Sequence, residues 1–174
     1  MFLKSSLKIS RFHFSTKSVP LEAFHKNVLK AKMTSFGGYN MPVQYSGSLK
    51  EQKACRSSAA LFDVSHMGPA YIRGKDAFKL IESATVADMS SLKPLTGAYS
   101  VIPNDNGGLI DDTVVSHFGE KAYIVFNASR KDVDKARFEE LAKKNNFSDV
   151  EVHLLDQDYC LLALQGPKAE EVLV

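Results

Sequence analysis

The sequence predicts an α+β fold, an antiparallel meander sheet with helices packed against it. Residues 98–102, 109–115 and 122–127 are apolar runs separated only by the turns Pro103 to Gly108 (PNDNGG) and Phe118-Gly119-Glu120. Strands joined by such short turns must run antiparallel. Segments of helical spacing mix with these strands without a regular βαβ alternation, which argues against a doubly wound sheet.

The remaining elements follow in chain order. Leu21 to Lys32 reads as a short helix, with Leu21, Phe24, Val28 and Leu29 near helical spacing. Ser35 to Pro42 (SFGGYNMP) is a turn punctuated by glycine, and Ser48 to Ala60 is helical. Leu61 to Met67 (LFDVSHM) is extended, and Tyr71 to Arg73 is a strand broken by Gly74. Asp76 to Ser83 places Ala77, Phe78, Leu80 and Ile81 on one helical face. Ser129 with Asp132 resembles a capping box that opens a helix to about Lys144. Val150, Val152 and Leu154 alternate as a strand, and Tyr159 to Leu164 forms another. Pro167 sits where a last helix begins. That helix stops on Val174 with neither a C-cap nor a polar tail, so the domain is expected to be incomplete at its C-terminus.

Composition narrows the class. With 174 residues, 44% hydrophobic and 24% charged, the chain is long enough to bury a core without disulfides or metal. Cys55 and Cys160 stand far apart, outside any CxxC pair, so neither a disulfide framework nor a cysteine zinc site is expected. The longest apolar runs, such as Cys160 to Leu164, are too short to span a bilayer. Residues 1–21 are basic, serine-rich and free of acids, with Phe2, Leu3, Leu7, Ile9, Phe12 and Phe14 between the charges. This is the composition of a mitochondrial transit peptide. We therefore divide the chain into a leader, residues 1–17, and a domain, residues 18–174. Losing Lys4, Lys8, Arg11 and Lys17 turns the net charge from +2 to −2, which removes any footprint for nucleic acid.

Asp111 and Asp112 lie inside an apolar strand after the Gly107-Gly108 turn. Successive strand residues face opposite ways, so the two acids cannot form a carboxylate dyad. Asp112 should share a face with Ile110 and Val114, and Asp111 with Leu109, Thr113 and Val115. A carboxylate among apolar neighbours is a candidate base or charge stabiliser. His66 adjoins Ser65 and follows Asp63, but no nucleophile elbow surrounds the serine, which disfavours a hydrolase triad. His25 and His117 have no metal-ligand spacing, and the glycine pairs fit no phosphate-binding loop.

Five runs in order, SFGGYNMPVQY from Ser35, LFDVSHMG from Leu61, NGGLIDDTVV from Asn106, FNAS from Phe126 and LLALQGP from Leu161, resemble the aminomethyltransferases. These are the tetrahydrofolate-using T-proteins of the glycine cleavage system. The resemblance covers residue 20 to the end and implies the N-terminal part of a folate-binding domain, since full members are roughly twice this length. It implies transfer of an aminomethyl carbon from the lipoyl arm of a carrier protein, the H-protein, to tetrahydrofolate. Ammonia leaves and 5,10-methylenetetrahydrofolate forms. By the same resemblance Asp112 is the catalytic carboxylate, expected to be buried, and Asp111 is structural. Met67, Tyr99, Val125 and Asn127 line the folate, with Tyr99 stacking and Asn127 bonding the pterin edge. The implied partners are the H-protein and the other glycine cleavage components, with no metal, nucleic acid or membrane, in the mitochondrial matrix. The family's pterin-holding acid and folate-facing arginine come from later segments that this sequence lacks.

Three alternatives have discriminating features. A folate-binding helper of iron–sulfur assembly shares the fold but typically lacks the paired aspartates. The folate domain of a sarcosine or dimethylglycine dehydrogenase would follow a flavin domain, for which the leader leaves no room. An inactive fragment would expose the apolar faces of an open pocket.

Overall fold

Strand pairing organises the chain into antiparallel sheets. The computed structural model describes residues 16–155 and 159–174. Apart from residues 16 and 17, the segment read as a leader lies outside the described residues. Lys17 itself bridges to the first hairpin, its N–H donating to Gly38 O at 2.8 Å and its carbonyl accepting from Asn40 N at 2.9 Å.

Helix α1 (Glu22–Asn27) is shorter than the spacing predicts. Lys30 takes φ 55°, which no helix continues through, and the chain turns into β1 (Lys32–Phe36). The glycine turn joins β1 to β2 (Tyr39–Gln44), with Phe36 opposite Tyr39. Gly37 and Gly38 have φ of 57° and 84°, the two positive angles of a type I′ hairpin. Helix α2 (Ser48–Ser57) leads to β3 (Ala60–Asp63), which pairs with β9 (Leu162–Gln165).

The main sheet has five strands. In spatial order they are β5 (Gly97–Pro103), β6 (Leu109–Phe118), β7 (Lys121–Phe126), β4 (Gly68–Arg73) and β8 (Glu151–Leu154). The predicted meander is β5-β6-β7, and β4 and β8 extend it with every pairing antiparallel. One face carries Ala70, Ile72, Ile102, Val115, Ala122, Ile124 and Phe126, all fully buried. Helices α3 (Ala77–Ala84) and α4 (Lys131–Lys144) cover this face. The buried residues of α3, Ala77, Leu80, Ile81 and Ala84, form the i, i+3, i+4, i+7 stripe of an amphipathic helix. On α4 the buried positions are Lys131, Asp134, Phe138 and Leu141, so the stripe starts charged and ends apolar. A last helix, α5 (Ala169–Leu173), follows β9.

Two local expectations are overturned. The capping box is absent: α4 has Arg130 at its N-cap with no side-chain cap. The Asn127 carbonyl instead accepts the N–H groups of Arg130 and Lys131, at 3.0 and 2.9 Å. The second concerns Ile110, predicted on the face of Asp112. The register passes from Ile102 opposite Asp111 to Pro103 opposite Leu109, leaving Ile110 as an extra, bulged residue that packs toward the core.

Gly68 matters for the site. A Cβ there would stand 2.7 Å from Lys131 Cβ and 3.3 Å from Phe126 Cβ, so only glycine lets α4 begin so close to β4. Among the described residues, no helix is long and apolar enough to cross a membrane.

Candidate active site

The sheet face away from the helices carries the predicted residues. Cross-strand partners share a face, and the register aligns Val101 with Asp112, Tyr99 with Val114, and Val114 with Val125. Asn127 follows β7 immediately, and Met67 precedes β4, where Gly68 is opposite Phe126. Tyr99, Asp112, Val125, Asn127 and Met67 are thus gathered at one end of the three central strands and their neighbour. Tyr99 is 71% exposed and Val114 45%, so this face stands open.

Two side chains hold Asp112. The Tyr99 hydroxyl donates to Oδ2 at 3.0 Å, and Asn127 Nδ2 donates to Oδ1 at 2.9 Å. The bond to Asp112, then desolvation and the charges of Asp112 and Asp111, raise the Tyr99 phenol above its ordinary value. Tyr99 therefore remains a neutral donor where Asp112 is ionised. Asp112 is exposed rather than buried, which corrects the expected burial: among the described residues, Tyr99 and Asn127 bond the carboxylate without covering it.

Asp111 behaves as the facing argument requires. It lies opposite Ile102, on the helix side, and its Oδ1 accepts the Asp112 N–H at 3.0 Å and Asn127 Nδ2 at 2.9 Å. Asn127 thereby ties the two acids together from the sheet edge, also reaching the Asp112 carbonyl at 3.2 Å. With its amide nitrogen so engaged, contact with a ligand would fall to Asn127 Oδ1. Behind Asp111 lies a residue that sequence reasoning missed. Asp134 is fully buried, and neither of its carboxyl oxygens nor Asp111 Oδ2 has a hydrogen-bond partner among the described residues. Burial first, then the neighbouring Asp111 carboxyl and its charge, raise Asp134 to about 7, against the opposing charge of Arg130. The available signal was an acid in register with Phe138 and Leu141 on one helical stripe.

Ser65, His66 and Asp63 do not form a triad. Ser65 Oγ accepts from Leu161 N at 3.0 Å, and His66 packs edge-on against Phe36. Burial holds His66 below its ordinary value, aided by Lys131 and opposed by Asp63. Asp63 bonds His25 instead, Nε2 to Oδ2 at 2.7 Å, and Tyr45 OH meets His25 Nδ1 at 2.9 Å. This Tyr–His–Asp cluster, its histidine and carboxylate buried and its tyrosine exposed, was also unforeseen, and it borders an apolar cavity of about 540 Å³ with Leu21, Phe24, Leu29, Leu61 and Leu162. None of the five predicted site residues lines that cavity.

Burial pushes the Asp63 carboxyl up, but the bonds from Ser65 and His25 outweigh it and leave it below the ordinary value. Its contribution to stability is therefore present above pH 3.8 and lost as the pH falls through the lowered value. We expect His25→Ala to cost about 1–3 kcal/mol at neutral pH, by leaving a buried carboxylate short of a donor. Urea unfolding at neutral pH checks this. An unchanged midpoint would show the pair to be dispensable.

The fold and its open face define an α+β domain that presents one carboxylate, hydrogen-bonded by Tyr99 and Asn127, on a partly aromatic sheet surface. The family model described as the GCVT N-terminal domain matches residues 22–174. An aminomethyltransferase of Deinococcus deserti is 45% identical over 158 residues, covering 90% of this chain and 43% of the relative. A mitochondrial aminomethyltransferase of Dictyostelium discoideum is 41% identical over 180 residues, covering 98% of this chain and 44% of the relative. The crystal structure of glycine cleavage system aminomethyltransferase T from Bartonella henselae superposes with a TM-score of 0.82 at 35% identity, over 91% of this chain and 43% of that one. The chain belongs to the GCVT N-terminal domain family, and it spans less than half the length of these relatives.

Proposed function

We propose that the chain forms the acid-bearing wall of an aminomethyltransferase of the glycine cleavage system. In this reading an aminomethyl group arrives on the lipoyl arm of the H-protein, and its carbon passes to tetrahydrofolate with release of ammonia. The product is 5,10-methylenetetrahydrofolate. The observation that carries the reading is Asp112, held by Tyr99 and Asn127 on the open sheet face while Asp111 turns behind it.

The residues present suit a folate. A flat pterin needs an aromatic or apolar platform with few polar anchors, and Tyr99, Val114, Val125 and Met67 supply one beside Asp112. Folate contributes the nucleophilic nitrogen; the chain contributes position and charge. Asp112, fixed by two hydrogen bonds, places a negative charge where positive charge develops during transfer, without reorganisation at the moment of reaction. The Tyr99 hydroxyl keeps that charge oriented. The leader at residues 1–17 and the mitochondrial relative support a site of action in the mitochondrial matrix.

The test is ammonia release from aminomethyl-loaded H-protein by the complete protein, with and without tetrahydrofolate. Release is expected only with folate. Folate binding without any ammonia release would favour the non-catalytic iron–sulfur assembly reading, and release at equal rates without folate would overturn the role assigned to the sheet face.

A further inference from the structure

Among the described residues, three buried oxygens behind the site have no hydrogen-bond partner: Asp111 Oδ2 and both carboxyl oxygens of Asp134. Unsatisfied acceptors at full burial are costly. Here they belong to two carboxyl groups that interact between β6 and α4, and such a pair can satisfy itself only if one member carries a proton. Asp111 Oδ1 already accepts from Asn127 Nδ2 and from the Asp112 N–H. Asp134, on α4 and fully buried, receives no such donors. That leaves Asp134 as the carboxyl placed to hold a proton.

We propose that Asp134 is a positioning residue for the transfer reaction: its carboxyl proton is donated to Asp111 Oδ2, which holds Asp111 and Asn127 in the arrangement that orients Asp112. This rests on the reading of Asp112 as the catalytic carboxylate. In this arrangement the linkage is continuous: Asp134 O–H to Asp111 Oδ2, Asp111 Oδ1 to Asn127 Nδ2, and Asn127 Nδ2 to Asp112 Oδ1 at 2.9 Å. The charged groups that bear on Asp134 are Asp111 from β6 and Arg130 from the turn before it on α4. Arg137, the next turn on, is engaged by Asp105 and Glu140.

Loss of the proton would set two buried anions against each other and push Asp111 away from its partners. Asp112 would then keep its charge but lose its fixed orientation. Activity should accordingly fall as the pH rises through the ionisation of Asp134, close to 7. Stability should fall over the same range. The raised folded-state value makes the native state the better proton binder between the ordinary 3.8 and about 7, so the advantage present at low pH is lost on the way up.

Carbon-13 NMR of the aspartate carboxyls, in the complete protein without substrate, reads the proton directly. One carboxyl is expected to titrate near 7 and to vanish from the spectrum in Asp134→Asn; titration of every aspartate near the ordinary value of about 4 would overturn the proposal. In the ammonia-release assay, Asp134→Asn has a permanent N–H donor and should lose the alkaline decline in kcat. Asp134→Ala has no donor and should lower kcat roughly tenfold, with little change in KM for tetrahydrofolate. Superimposable pH profiles for wild type and Asp134→Asn would overturn the coupling to Asp112. Full activity in Asp112→Asn would overturn the functional reading alone, because the carboxyl titration is read without substrate.

Discussion

Asp112→Asn should reduce folate-dependent ammonia release by about a hundredfold or more, the scale on which a preorganised electrostatic partner of a charged transition state contributes. The substitution is nearly isosteric: asparagine's carbonyl oxygen can still accept from Asn127 while its amide donates to the Tyr99 hydroxyl oxygen, so platform and fold should survive. What disappears is the negative charge. Tetrahydrofolate affinity should change much less than kcat, because the open face retains Tyr99, Val114 and Val125. Asp111→Asn is the matched control. It lies opposite Ile102 on the helix side of β6 and reaches the site through Asn127 and the Asp112 N–H rather than by its own charge, so it should cost less than Asp112→Asn. Steady-state kinetics of the two variants, side by side, decide the assignment. If Asp111→Asn were the crippling change, the two acids would have exchanged roles and the facing argument would fail.

That argument was available from the sequence because a strand's two-residue period is rigid: adjacent acids must part. The same rule misplaced Ile110, since a bulge adds a residue without leaving a mark in the local pattern. The meander was legible in its turns. The β1–β2 hairpin was legible only as a glycine turn, because KMTSF is largely exposed and shows no alternation of polar and apolar residues. Helix α4 was found, but its start was misread. Ser129 and Asp132 offered a cap that the structure replaces with the Asn127 carbonyl. Side-chain partners across long separations stayed out of reach. His25 and Asp63 stand 38 residues apart, and Asp134 meets Asp111 from another element; neither pairing has a local signature. The resemblance to a family supplied roles for Asp112, Tyr99 and Asn127, while the bonds that hold them needed coordinates.

Phe138→Ala should be the most destabilising single change of the two phenylalanines' interface, with a loss of about 3–5 kcal/mol. Phe138 is fully buried on α4 and meets Phe126 of β7 edge to face, with ring centroids 5.3 Å apart at 74°. The pair joins helix to sheet beneath the active face. Phe126 directly precedes Asn127, and Phe138 lies one helical turn beyond Asp134. Truncation removes the transfer free energy of a whole ring and leaves a cavity that a rigid sheet cannot close. Phe138→Leu refills much of that volume and should recover more than half of the loss. Urea unfolding measures both. The contrast is Tyr99→Ala, which removes a ring of similar size from an open face and should alter stability by no more than about 0.5 kcal/mol, while still impairing the reaction through Asp112. Two aromatic truncations, one on the helix beneath the sheet and one on the sheet's open face, thus separate stability from catalysis, and equal unfolding losses would mean that the face bearing Tyr99 is not the open one.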